Sequence, residues 1–379
     1  MPDSINIEPV PSRRQMSWFS RIIFALNWFA VAGLLLASIA PFVSPSTFWL
    51  LAFFALMHPV FTLLNLLFLI YWILRKRKQV FVSLAVLLLA SPYYFLQFRL
   101  GFNHKTPAPD NSFSVMSYNV KLFDLYNWTG NKKTRSEIFN LLKNHQPDVL
   151  CLQEFYNEDF GDFRNLDTLK HLLQLPYAHT EYTITLRKDD HWGVATFSRF
   201  PIINQGKITF NNRTNNICIY TDIVKEKDTI RVYNMHLQSV SLGYADRSFV
   251  NKVKNMEEVE DEIESSKNIL RRMKRAYIKR AGQARSIYEH ISKCPYPVIV
   301  CGDFNEPPVS YVYNKISTNL HDAFLESGKG FGKTFDNPFP LPRIDYILHS
   351  KSFASWNFTV IDSEVLSDHF PVYCKISKK

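Results

Sequence analysis

The chain has 379 residues, 46% of them hydrophobic and 15% aromatic, with a formal net charge of +10. That length exceeds one small domain, and the apolar content excludes a disordered chain. Residues 1–105 hold nine Lys/Arg and two acids, a net of +7, which leaves only +3 for the remainder and little electrostatic pull on nucleic acid there.

Residues 1–17 are polar and carry three prolines, which predicts a disordered tail. Three apolar runs follow, at about 22–43, 48–74 and 80–98. Each reaches the roughly 20 residues that a bilayer requires. Trp18, Trp28, Trp49, Tyr71, Trp72, Tyr93 and Tyr94 lie mostly toward the run ends, as an aromatic belt does. The expectation is three transmembrane helices within a membrane anchor over 1–105, contacting the lipid bilayer through three spans. Arg13, Arg14 and Arg21 precede the first run, Arg75–Lys78 is a tetrabasic loop after the second, and 41–47 has no charge. By the positive-inside rule the N-terminus is cytoplasmic and everything after the third run is extracytoplasmic, although Arg99 and Lys105 lean the other way.

Thr106–Asp110 is a Pro-rich linker, and 106–379 reads as one further domain. Strands are predicted at 113–120, 148–154, 180–185, 193–198, 202–210, 217–224, 229–237, 298–301, 344–349, 356–361 and 372–376, with helices at 131–144 and 165–175. Many strands with few intervening helices predict an α+β fold of two packed sheets with outer helices. The five Cys include no C-x-x-C pair, and Cys151 and Cys301 fall inside apolar strands, so neither a disulfide framework nor a zinc site is expected. Residues 241–293 are highly charged, acidic near 257–264 and basic near 271–280. They read first as a solvated helix pair laced with ion pairs. The alternative is a basic face lying on anionic headgroups.

The chemistry gathers at strand ends. Pro297–Pro308 reads as a buried strand stopped by Gly302, then Asp303 and Asn305 on one side of the chain with Phe304 on the other. Such a pair suits a site for a water or an oxyanion, or simply a turn. Asn119 closes the first strand and Glu154 the second. His236, Asp345 and the Asp368-His369 pair occupy equivalent edges of later apolar runs. Each alone has a structural explanation, as a cap, a loop residue or a satisfied histidine. Their recurrence in one domain points to a metal or phosphate site.

These segments resemble a known family. S-Y-N-V (117–120), L-Q-E (152–154), G-V-A-T-F-S-R-F-P-I (193–202), N-M-H-L-Q-S (234–239), G-D-F-N-E-P-P (302–308), R-I-D-Y-I-L (343–348) and S-D-H-F-P-V (367–372) look like the successive motifs of the endonuclease/exonuclease/phosphatase superfamily. The resemblance runs from about Ser112 onward. It implies a four-layer α/β sandwich and a phosphodiesterase or phosphatase activity dependent on Mg²⁺ or Mn²⁺. By that resemblance Asn119 and Glu154 ligate the metal, with Asp368 as a further ligand. Asp303 orients and deprotonates the attacking water, and Asn305 holds the phosphate or that water. His236 and His369 donate hydrogen bonds to the phosphoryl oxygens, and Asp345 fixes the His369 tautomer. Asp189 or Asp190 is a candidate carboxylate partner for His236. The expected substrate is a phosphate ester, either a phospholipid headgroup or extracytoplasmic nucleic acid. The competing class is a non-catalytic membrane binding module, and no protein partner is inferable.

Overall fold

The computed structural model describes residues 17–101, 107–210, 215–240, 262–336 and 343–379. Expectations for 1–16 and 241–261 lie outside the described residues. The apolar third begins with α1 (Trp18–Ile39), whose first turn is capped by the Ser17 hydroxyl accepting from the Ser20 N–H at 3.3 Å. A short 3₁₀ turn, Ala40–Phe42, extends it to a 25-residue apolar helix long enough to cross a bilayer. The expected second and third spans are not straight. The second run divides into α2 (Pro45–Phe48), α3 (Leu50–Leu56) and α4 (His58–Leu74), with α3 and α4 bent by 62°. The third divides into α5 (Val80–Leu89) and α6 (Ser91–Gln97), bent by 55°. Pro59 and Pro92 sit at the first turn of α4 and α6, where a missing N–H and the ring clash stop the preceding helix from continuing. The described residues therefore contain one uninterrupted helix of spanning length, or three spans if each bent pair is counted as one.

These helices carry large apolar side chains on their outside and bury a few polar ones among an apolar interior. Leu63, Leu67, Ile70, Phe81 and Leu88 face outward, while Asn27, Asn65 and Ser83 are buried. Asn27 donates to the Ser83 hydroxyl at 2.8 Å and accepts from the Trp72 indole at 2.9 Å. Polar groups paired inside an apolar exterior are what a lipid solvent selects.

The remainder is a double sheet. Twelve strands run β1 (Phe113–Asn119), β2 (Val149–Glu158), β3 (Tyr177–Leu186), β4 (Asp190–Ser198), β5 (Ile202–Ile208), β6 (Ile217–Lys225), β7 (Asp228–His236), β8 (Val298–Asp303), β9 (Leu320–Asp322), β10 (Asp345–Ser350), β11 (Phe353–Val360) and β12 (Val372–Lys378). One sheet has the order β11-β12-β1-β2-β4-β3 and the other β5-β6-β7-β8-β10-β9. Each contains a parallel pair, β1 with β2 and β7 with β8, flanked by antiparallel strands. Val115, Cys151, Val232, Ile299, Ile347 and Cys374 fill the space between the sheets. Outside the first sheet lie α7 (Thr134–His145) and α8 (Asn165–Leu173), packed through Ile138, Leu142 and Leu169. Outside the second lie α9 (Glu262–Ser292) and α10 (Tyr311–Ile316), packed through Ala284, Ile287 and Val312. The result is four layers. The described part of the charged region, from 262 on, is one 31-residue helix. All five cysteines are free.

Two parallel strands cannot be joined by a tight turn, so their carboxyl ends are left open for loops. Those ends carry the candidate residues. The apolar bundle docks beside them. Asn314 in α10 donates to the Pro41 carbonyl at 3.0 Å, Arg343 donates to the Leu96 carbonyl at 3.3 Å, and Arg99 and Gly330 exchange backbone bonds of 2.9 and 2.8 Å.

Candidate active site

Four side chains of the site converge on one oxygen. Asp303 ends β8, and its carboxylate is buried. Its Oδ1 accepts the Asn305 backbone N–H at 2.8 Å, an Asx-turn that fixes the side chain. Its Oδ2 accepts from the Asn305 carboxamide at 3.0 Å and the Asn119 carboxamide at 3.2 Å. The Nε2 atoms of His236 and His369 each stand 3.7 Å from the same oxygen. Asn305 also donates to the Leu237 carbonyl at 3.1 Å, which ties the loop after β8 to the end of β7.

The backbone is shaped for this convergence. Gly302 does not stop the strand as expected; it lies within β8 at φ +143°, where a Cβ would come 2.0 Å from the Met235 carbonyl oxygen. Only glycine lets the parallel neighbour pass that closely. Glu154 does not end its strand either. β2 continues to Glu158 through an irregularity between Leu152 and Phe155, and Glu154 sits there with φ 47°. Asn305 has φ 53°, and Lys121 to Asp124 are four successive residues with φ between 44° and 58°. Left-handed conformations at non-glycine residues cost free energy and concentrate at functional loops.

Asp345 pairs directly with Asp303 across β10 and β8. Its N–H and that of Ile344 both donate to the Thr334 hydroxyl, at 3.1 and 3.0 Å. The Asp345 carboxylate receives His369 Nδ1 at 2.9 and 3.2 Å, leaving Nε2 toward Asp303. Burial by itself would lower the His369 pKa. The carboxylates of Asp345 and Asp303 outweigh it and raise the value to about 10, so the ring is an imidazolium at neutral pH. Burial, reinforced by Asp345 and opposed by His369, raises Asp303. Asp303, Asp345 and His369 place three donor atoms within 4.8 Å, a spacing that a metal ion could use. A protonated ring held between two carboxylates is already charge-compensated, so we read this trio as a proton-holding relay.

Glu154 is the oxygen donor that stands apart. Its Oε1 is 3.5 Å from Asn119 Nδ2 and 3.7 Å from His236 Nε2, a buried nitrogen that makes no hydrogen bond. Asn119 turns its NH₂ to the carboxylates and its Oδ1 to the Lys121 N–H at 3.1 Å, so its amide oxygen is not presented as a ligand. Asp368 lies at the rim, paired with Lys121 at 3.1 Å. Neither Asp189 nor Asp190 reaches His236 through any hydrogen bond or ion pair among the described residues. Asp190 instead accepts from the Tyr156 hydroxyl at 3.2 Å, because it begins β4 opposite Glu158.

Sequence reasoning missed the layer beneath. Gln153 donates to Asn234 Oδ1 at 2.8 Å and to the Ser117 hydroxyl at 3.1 Å, while Asn234 donates to the Ala195 carbonyl at 2.9 Å. This network pins one sheet to the other under the site. The same motifs carry it, since Gln153 precedes Glu154 and Asn234 precedes His236 by two. Ser367 donates to the Asn119 carbonyl at 2.8 Å and accepts from the His369 N–H at 3.2 Å, locking the last motif onto the first.

The sequence model of the Endonuclease/Exonuclease/phosphatase family matches residues 116–369, which include all eight predicted site residues. The chain belongs to that family. Its members are metal-dependent phosphoric ester hydrolases. Residues 20–95 match a domain of unknown function (DUF8431). The catalytic domain of human nocturnin is similar at 19% identity and a TM-score of 0.50, over 72% of this chain and 96% of that one. A mannosyl-6-phosphatase from Bacteroides thetaiotaomicron (20% identity, TM-score 0.47, 70% and 100% covered) and sphingomyelinase C from Streptomyces griseocarneus (20%, 0.47, 71% and 99%) are further solved structures similar to it. At these identities the likeness establishes the family fold alone. No curated protein matches the chain.

Proposed function

We propose that this family member is a membrane-embedded, Mg²⁺- or Mn²⁺-dependent phosphodiesterase that acts at the extracytoplasmic surface of its bilayer, on phospholipid headgroups ahead of nucleic acid. The observation that carries the hydrolytic reading is the crowding of four polar side chains around Asp303 Oδ2. Burial raises the proton affinity of that carboxylate, and two carboxamides orient it. A carboxylate so held suits withdrawal of a proton from an attacking water. The His369 imidazolium and His236 donate to phosphoryl oxygens as charge grows on them, and Asp345 keeps the His369 proton in place.

The donor set fits a hard divalent ion. Glu154 supplies a carboxylate beside the unpartnered Nε2 of His236, with no thiolate nearby. Glu154 would hold the ion, Asp368 would join it on leaving Lys121, and Asn119 on turning its amide oxygen inward. The bound ion would polarise the phosphoryl group and offset charge on the leaving oxygen.

The apolar exterior of the bundle and the tetrabasic loop Arg75–Lys78 support three spans with the sandwich outside the cytoplasm. The seam supports a membrane-proximal site, since Arg343, two residues before Asp345, bonds Leu96 of the bundle. The test is the full chain in nanodiscs with Mg²⁺, comparing headgroup release from phospholipid with cleavage of plasmid DNA. Asp303→Asn should reduce turnover at least about a thousandfold. Turnover unchanged by that substitution would sink the hydrolytic reading, and faster plasmid cleavage would reverse the substrate preference. A reporter active only in the cytoplasm, fused after Lys379, should stay silent.

A further inference from the structure

Helix α9 has two unlike faces. Ala276, Tyr277, Arg280, Ala284 and Ile287 are buried, the last two against the second sheet. Arg280 donates to the buried Glu306 carboxylate at 2.8 Å and to the Gln238 carbonyl at 2.6 Å, both next to the Asn305 loop. The preceding turns are basic: Lys267–Lys279 contains six Lys/Arg and no acid. Lys267, Lys274 and Arg275 are exposed there. So are Leu270 and Ile278, at 42% and 36%. Leu270, Lys274 and Ile278 are spaced by four and form one stripe along the helix. At its middle, Lys274 Nζ stands 5.7 Å over the ring of Trp49, which joins α2 to α3. Phe42 and Phe48 in the same part of the bundle are also exposed.

We infer that this stripe is a docking surface for anionic phospholipid headgroups of the bilayer that the bundle enters. The inference rests on the membrane reading above. Cationic side chains gain from a surface of negative phosphates, and exposed aliphatic side chains aligned with them gain from the acyl boundary just beneath. A nucleic-acid face uses the cations but has no comparable use for Leu270 and Ile278. The stripe is continuous with the bundle through Lys274 and Trp49. Its near end, Ile278, is only about 3 Å along α9 from Arg280, so a helix held on the bilayer would set the height of the Asn305 loop above it.

The experiment uses the full chain in nanodiscs on a Cys294→Ser background, because the other four cysteines are buried. A nitroxide is attached at Ile278→Cys, and separately at Leu67→Cys on the outward face of α4. Power saturation with oxygen and with a water-soluble nickel chelate then reports lipid or water around each label. In bilayers of phosphatidylcholine with phosphatidylglycerol, the label at 278 should favour oxygen. That preference should disappear in phosphatidylcholine alone and in the Lys267→Glu/Lys274→Glu/Arg275→Glu variant, whose substitutions leave the buried face untouched. A label at 278 that is water-facing in every lipid, while that at 67 is lipid-facing, would overturn the docking inference and leave the membrane reading standing. Water at both positions would remove both. Immobilisation of the 278 label by a single-stranded oligonucleotide but not by phosphatidylglycerol would overturn it in favour of nucleic acid.

Discussion

Replacing Asp345 by Asn keeps the shape of the site and removes the charge that holds the His369 proton. Asp345 meets His369 Nδ1 at 2.9 Å and is the strongest of the carboxylates that lift this ring from 6.5 to about 10 against its burial. A rise of that size corresponds to about 5 kcal/mol in favour of the imidazolium. If Asp345 supplies half, the variant's ring titrates about two pH units lower. The assay is a pH–rate profile on a generic phosphodiester with saturating Mg²⁺. The alkaline limb should move down by about two units, with a loss of about a hundredfold at the optimum from the weakened donor. Stability follows with a definite sign. A raised histidine contributes fully below its unfolded pKa of 6.5 and loses that contribution as pH climbs to about 10, at about 1.4 kcal/mol per unit. Metal-free wild type should therefore weaken across that window, and Asp345→Asn should weaken less. An alkaline limb that stays in place while the rate alone falls would refute the argument that Asp345 acts through the His369 proton.

Glu154→Gln should weaken divalent-ion binding at least about tenfold by calorimetry, since it removes the carboxylate best placed to ligate. Lys121→Met should tighten the same binding by releasing Asp368, and unchanged affinity would remove Lys121 as its competitor. Gly302→Ala should cost about 3 kcal/mol or more, read as a fall in Tm, because its Cβ would stand 2.0 Å from the Met235 oxygen at φ +143°. Glu326 lies between His321 Nδ1 at 2.6 Å and His349 Nε2 at 3.1 Å; burial alone would raise its pKa, yet these partners depress it to about 2. That depressed carboxylate contributes stability above pH 4.5 and loses it as pH falls toward 2, so Glu326→Gln should flatten the acid limb of the melting profile.

The strands were legible because β residues buried on both faces leave uninterrupted apolar runs. Val149–Leu152 and Val298–Cys301 show this, and their ends could be read as a site because polar side chains are rare there. Four things were not legible. Helix breaks at Met57 and Ala90 depend on Pro59 and Pro92, which in an apolar run also suit an unbroken, kinked span. Backbone handedness at Glu154 and 121–123 leaves no trace in residue type, because none of these positions is glycine, asparagine or aspartate. The direction of a carboxamide, as at Asn119, and the choice of partner for Asp368 are set by neighbours far away in sequence. The short β9 and α10 escaped because each is only a few residues long.

The bond from Ser367 to the Asn119 carbonyl spans 248 residues, and every apolar helix precedes both of its ends. On a translating ribosome the bundle is therefore finished before the last acid–histidine pair exists. Under the proposed topology, a nascent chain enters the bilayer as an inert precursor. Hydrolytic capacity arises only after Ser367-Asp368-His369 closes onto the first strand, when the enzyme is already committed to its membrane. Synthesis order itself then guards the cytoplasm against the activity.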